Sequence, residues 1–234
     1  MGLADRLDTL AGLFAAGMAP TGARDPFALR RAALGMMQVL IANDLEFDVR
    51  LGLETAASRL PIATNGENMK ACLAFVIERL RNLLQEQGGR YDVVDAVLAA
   101  QGSNPARAGR AVRQLAGWVN RSDWNTILPA YARCVRITRD QLERFSVEPA
   151  ALVEPAEADL YTALQAAEAI IRLPGSVDDL LNTFLPMIPV INRFFDVVLV
   201  MTEDARLRNN RLGLLQRISA LADGIADLSK LEGF

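Results

Sequence analysis

Residues 64–89 read Thr64-Asn65-Gly66-Glu67-Asn68-Met69-Lys70-Ala71-Cys72-Leu73-Ala74-Phe75-Val76-Ile77-Glu78-Arg79-Leu80-Arg81-Asn82-Leu83-Leu84-Gln85-Glu86-Gln87-Gly88-Gly89. Leu73, Val76, Ile77, Leu80, Leu83 and Leu84 recur at three- and four-residue steps, the period of one helix face. In front stands Thr64-x-x-Glu67, the spacing of a capping box: the threonine oxygen serves the glutamate's amide and the glutamate side chain reaches back. Behind, Gly88-Gly89 supplies a left-handed stop. A start, a period and a stop together predict one long helix.

The same grammar runs outward in both directions. Upstream, Leu3, Leu7, Leu10 and Phe14 form one apolar stripe, ended by Pro20-Thr21-Gly22. Asp25-Pro26 predicts an N-cap and a first helical position, opening a helix that carries Leu29, Ala33, Met36, Met37 and Leu40. A third helix is expected from about 46 to 60, where Pro61 stops it. Downstream come a shorter helix at 92–100, one begun by Asn104-Pro105, and one begun by Ser122-Asp123. Residues 146–156 hold two prolines and no period, so they read as a connector. Helices are then expected over 156–173, from 177 onward, and over 203–229, with Pro186 and Pro189 breaking or kinking the chain near Met187. Val197 to Val200 is strand-like in composition but sits in a helical frame. The fold class expected is all-α, a helical bundle of about ten helices.

Composition narrows the chemistry. The 234 residues are 51% apolar and 23% charged, which excludes wholesale disorder. No clean apolar run, Val197 to Met201 included, approaches the ~20 residues that span a bilayer, and no N-terminal stretch reads as a signal peptide. There is no histidine, so no Ser-His or Cys-His nucleophile, His-ligated zinc or imidazole base exists in this chain. Cys72 and Cys134 are isolated and read as buried thiols.

Net charge is −3, but its distribution is uneven. Residues 1–100 carry −2, residues 101–145 carry +5, residues 146–205 carry −8 and residues 206–234 carry +2. Two readings are open. The basic segments pack together into a positive face, or their arginines pair with the acidic segment as a solvated surface. Asp178-Asp179 behind Ser176 reads as first-turn charge on a helix dipole. The Asp5/Asp8 pair lacks further ligands for a metal. No phosphate-binding glycine loop and no nucleophile elbow occurs. No catalytic residue and no metal site is nominated.

Three stretches then carry a resemblance. The first is Leu3-Ala4-Asp5-Arg6-Leu7-Asp8-Thr9-Leu10 followed by Pro20-Thr21-Gly22-Ala23-Arg24-Asp25-Pro26-Phe27-Ala28-Leu29-Arg30-Arg31-Ala32-Ala33-Leu34-Gly35. The second is Tyr91 to Ala99. The third is Phe194 to Met201, Glu203-Asp204, Leu207 to Leu215, and Ala226 to Leu231. In this order they resemble the C-terminal part of the bacterial glycyl-tRNA synthetase beta subunit. The resemblance implies the end of an HD-like helical domain at 1–42, a connecting helical segment at 43–103, and a DALR-type anticodon-binding domain at 104–234. The metal-binding histidines of an HD site would lie outside this chain, and the absence of histidine rejects an HD phosphohydrolase here.

The function implied is binding of glycine tRNA in support of aminoacylation by the alpha subunit, which uses ATP and magnesium. No cofactor is expected in this chain, nor DNA or membrane as a partner, and the location expected is cytoplasmic. RNA loops are held by guanidinium stacking and phosphate contacts. Ala132 to Ile137 resembles a DALR motif stretch in which Arg133 matches the motif arginine and Arg136 stands where asparagine is usual. In the tail, Arg208, Asn210 and Arg211 match motif positions. The RNA-binding candidates are therefore Arg133, Arg136, Arg208, Asn210 and Arg211, on a face built from residues 107–144 and 206–217. Arg211 and Asn210 have an alternative role bridging helices. Trp118, Trp124, Tyr131 and the run Phe194 to Met201 read as core. The alternative function is a helical module that docks the alpha subunit or the rest of beta without touching RNA.

Overall fold

The computed structural model describes residues 2–22 and 24–234; Met1 and Ala23 lie outside the described residues. Among those described are eleven α-helices, three short 3₁₀ turns and no strand; Thr21 and Arg24 form an isolated bridge. The chain divides into two compact units, one ending at Arg113 and one beginning at Gln114.

The first unit contains α1 (Leu3–Ala15), α2 (Leu29–Ala42), α3 (Val49–Ala57), α4 (Gly66–Glu86), α5 (Tyr91–Gln101) and the opening turns of α6 (Pro105–Val119). Its hub is α1, which packs against α2, α3 and α4. The stripe read from sequence is the buried one: Leu7, Leu10, Ala11 and Phe14 face inward. Phe14 meets Phe75 of α4 at 5.4 Å between ring centroids. Each such side chain contributes about 1.5–3 kcal/mol through burial.

Two helix starts differ from the sequence expectation. The helix after Asp25-Pro26 begins at Leu29, not at Pro26, because Ala28 adopts the left-handed region (φ 55°) and breaks the turn. Asp25 still caps from the loop: its oxygens accept from the amides of Leu29 at 2.8 Å and Arg30 at 2.9 Å. Arg30 donates to the carbonyl of Gly22 and ties the loop back. A left-handed alanine costs roughly 1–2 kcal/mol, offset by these charge-assisted bonds. At α4 the cap is Asn65, not Thr64; its side chain accepts from the Asn68 amide at 2.7 Å. Both residues are good cappers, and the chain enters one residue later. The stop holds as read: Gly88 is left-handed (φ 94°), and the Gly89 amide returns to the Leu84 carbonyl.

The second unit contains the end of α6, then α7 (Trp124–Thr138), α8 (Pro155–Ala169), α9 (Val177–Phe184), α10 (Ile188–Val197) and α11 (Ala205–Ala220). α7 packs on α10 and α11, and α8 packs on α10 and α11. As expected from Pro186 and Pro189, the chain breaks between α9 and α10, through a 3₁₀ turn at Leu185–Met187. The last helix is shorter than the expected 203–229. Residues beyond Ala220 turn at Gly224 (φ 72°) and form a 3₁₀ turn at Leu228–Lys230, capped by Asp227. This folds Phe234 back beside Tyr131, with ring centroids 6.5 Å apart.

Candidate nucleic-acid interface

The basic segment does not form one positive face. In the first unit, Arg107 and Arg110 on α6 both pair with Glu46, and Arg110 also with Asp44. The Arg107 hydrogen bond, reinforced by Arg110, holds the Glu46 carboxyl below the usual carboxylate range.

The arginines of α11 are also engaged, and with the acidic segment. Arg206 pairs with Glu148 at 2.9 Å, Arg211 with Glu157 at 2.5 Å, and Arg217 with Glu168. Arg208 donates to the carbonyls of Thr202 and Glu203, at 2.9 and 3.4 Å. So the pairing alternative describes residues 206–217, and the expectation that they complete an RNA face is corrected.

Arg211 and Asn210 are structural. Arg211 and Glu157 are both buried. Arg211 also donates to the Leu199 carbonyl at 2.9 Å, while Glu157 accepts from the amides of Val153 and Glu154 at 2.7 and 2.8 Å. Nε and Nη1 of Arg211 and both oxygens of Glu157 are thereby paired, as a buried ion pair requires.

Asn210 accepts from the Glu148 amide at 2.7 Å and donates to the Glu148 carbonyl at 3.2 Å. Two turns on, Gln216 accepts from the Phe145 amide at 3.0 Å and donates to the Glu143 carbonyl at 2.7 Å. Gly213 lies between them, where a Cβ would stand 2.8 Å from the Phe145 carbonyl oxygen. Asn210, Gly213 and Gln216 thus form one face of α11 that clamps the connector 143–148 as a neighbouring strand would. Their three-residue spacing is visible in the sequence; their partner is not.

Asn210→Ala leaves the Glu148 amide without its partner, while the Glu148 carbonyl keeps the Ala151 amide, and is expected to cost about 1–3 kcal/mol. Both tryptophans, Trp118 and Trp124, lie in the second unit, so denaturant unfolding followed by their fluorescence reads that unit alone. An unchanged midpoint would remove the clamp from the stabilising contacts.

Basic side chains of the second unit without a close carboxylate include those on the outer side of α7 and in the loop after it, together with Lys230, 4.0 Å from Asp227. Arg133 lies 4.4 Å above the Phe195 ring and touches Asn192 at 3.4 Å; its nearest carboxylate, Asp196, is 4.0 Å away. Arg136, three residues on, lies 5.4 Å above the Phe234 ring. Arg139 is 3.8 Å from Asp140, and Arg144 is exposed with no ion-pair partner among the described residues. Aromatic faces fix the first two guanidiniums while leaving their charge uncancelled. The sequence nominates Arg133 and Arg136 but neither Phe195 and Phe234 nor Arg139 and Arg144. The +5 segment charge is the available signal for the last two.

Beside this row a groove of about 470 Å³ opens between the end of α7 and the end of α11. Val135, Thr138, Arg139, Leu142, Arg144 and Gln216 line it, with Asp223 at one side. Tyr131 closes its floor, donating to the Ser219 carbonyl at 2.9 Å. Burial pushes the Tyr131 phenol and the Cys134 thiol up, the thiol to about 12, so neither ionises near neutrality. As the sequence suggests, Trp118 and Tyr131 are buried; Trp118 donates to Asp178 at 2.8 Å. The run Phe194 to Met201 is core only in part: Phe194, Val198 and Val200 are buried, while Val197, Leu199 and Met201 face outward.

Comparison with known proteins adds the following. A family described as glycyl-tRNA synthetase beta subunit matches residues 1–99, and one described as DALR anticodon binding domain matches residues 127–228. A protein of Moorella thermoacetica named glycine–tRNA ligase beta subunit is 39% identical over 241 residues, covering 99% of this chain and 35% of its own length. A protein of the same name from Myxococcus xanthus is 35% identical, with the same coverage of both chains. A chloroplastic/mitochondrial glycine–tRNA ligase of Arabidopsis thaliana is 35% identical over all of this chain and 22% of its own length. The chain spans about a third of the length of the bacterial relatives.

Proposed function

Because the chain belongs to the glycyl-tRNA synthetase beta-subunit family, we propose that its second unit binds the anticodon region of glycine tRNA through the outer side of α7. The observation that carries this reading is the set Arg133, Arg136, Arg139 and Arg144, four basic residues of α7 and the loop after it with no carboxylate closer than 3.8 Å. Stacked guanidiniums and a groove the size of a nucleotide suit unpaired bases, which RNA-binding domains splay onto flat groups. The match of residues 127–228 to a domain described as anticodon binding supports RNA binding by this unit.

Bond chemistry is assigned elsewhere. With no histidine and no candidate nucleophile, this chain acts by holding RNA, and attachment of glycine, with its ATP and magnesium, is the work of the alpha subunit.

The test is binding of the chain to glycine tRNA and to the same tRNA with a changed anticodon, over a salt series. Four arginine contacts predict a log–log salt slope of about −3. Anticodon reading predicts at least about tenfold weaker binding of the altered tRNA. Equal affinity for both RNAs would leave a tRNA-binding surface but end the anticodon assignment; a flat salt response would end both.

A further inference from the structure

Past α10 the chain runs extended at Val198 (φ −109°, ψ 120°) before α11 begins. From the last residue of α10 to the turn at 200–201, exposure alternates: Val198 and Val200 are buried, while Val197, Leu199 and Met201 are 61%, 71% and 52% exposed. Val153 joins this row at 63% exposure, because its amide binds Glu157 and the Leu199 carbonyl binds Arg211, the two partners of one buried ion pair. Val197, Leu199 and Met201 therefore stand outward on one short stretch whose backbone, like that of Val153, is tied to one buried ion pair.

The row is held rigidly. Arg211 takes the carbonyl of Leu199, Arg208 those of Thr202 and Glu203, and alternate side chains are locked in the core. A preformed, outward apolar row is a docking feature. Its surroundings select the occupant. Glu154, Asp196 and Glu203 flank it and are exposed; Glu154 and Glu203 have no ion-pair partner among the described residues, and Asp196 reaches only the distant Arg133. These carboxylates disfavour phosphate over the row itself, on the side away from Arg133, and a second copy of the same row would set acid against acid.

We propose that this row docks a protein segment of apolar residues flanked by lysine or arginine, supplied by another subunit of the same ligase. The proposal rests on the family reading above, in which the chain is part of a beta subunit.

The two native cysteines offer a clean test. Cys72 and Cys134 are buried, and burial pushes both thiols up to about 12, so they react poorly at neutral pH. Leu199→Cys then places a reactive thiol on the row, and Gln165→Cys, on the exposed side of α8, is the control. Maleimide labelling is read by mass spectrometry on the peptide containing each position, in the full-length beta subunit alone and in the assembled ligase. Assembly is expected to slow labelling at 199 about tenfold or more and leave 165 unchanged. Val197→Asp with Leu199→Asp is expected to weaken subunit association at least about tenfold while the thermal midpoint is kept.

A complex that forms with labelling at 199 unchanged overturns the docking alone. Protection by tRNA without the other subunit, or in the beta subunit alone through self-association, also overturns it. A full-length chain that forms no complex overturns the ligase reading itself.

Discussion

Arg211→Ala is expected to destabilise the second unit by about 3–5 kcal/mol, a large part of a domain's total stability. The substitution removes the partner of Glu157, which is fully buried and has only the two amides of Val153 and Glu154 left. It also frees the Leu199 carbonyl. The cost is that of an uncompensated buried carboxylate, so it should shrink when the carboxylate goes as well. Arg211→Met with Glu157→Leu is expected to recover part of the loss, because an apolar pair carries no buried charge, while the Leu199 carbonyl and the Val153 and Glu154 amides still lose these partners. Tryptophan fluorescence during denaturation measures both variants in the relevant unit. A single-variant loss below about 1 kcal/mol, the scale of an exposed pair, would mean that water reaches the site.

Charge reversal on α7 has the largest expected effect on binding. Arg133→Glu with Arg136→Glu is expected to weaken tRNA binding roughly 30-fold or more at moderate salt. It should also lower the magnitude of the salt slope by about 1.5, roughly 0.7 for each phosphate no longer neutralised. Both side chains lie on aromatic rings at the surface, so their replacement removes little packing. Arg206→Glu with Arg217→Glu is the matched control on α11, where the arginines already face Glu148 and Glu168. If the control pair loses as much affinity as the α7 pair, the RNA surface is on the other helix.

The helices are legible in the sequence because each carries its own punctuation. Gly88, Pro186, Asp204 and Ser176 end or begin elements where their backbone chemistry requires it. Starts are misplaced where a cap acts at a distance, as Asp25 does from beyond the left-handed Ala28. The candidate site is legible only by segment. Local pattern does not say which carboxylate an arginine will meet 54 residues away, as Arg211 meets Glu157. Nor does hydropathy separate Val198 from Leu199, whose opposite exposures follow from the extended backbone after α10. The tail motif is apolar throughout, so half of it reads as core for the wrong reason.

The clamp on α11 also has a consequence in time. α11 is the last helix of its unit, yet its contacts reach back to Tyr131, 88 residues earlier, and to the connector at 143–148. During synthesis α7 to α10 are complete while the buried faces that α11 will cover are open. At ~5–20 residues per second, the 23 residues from Val197 to Ala220 take about 1–5 s to make. Hydrophobic collapse takes microseconds, so for that interval the nascent unit must stay soluble with its apolar seams unsealed. That interval is therefore when its unsealed seams are most open to other chains.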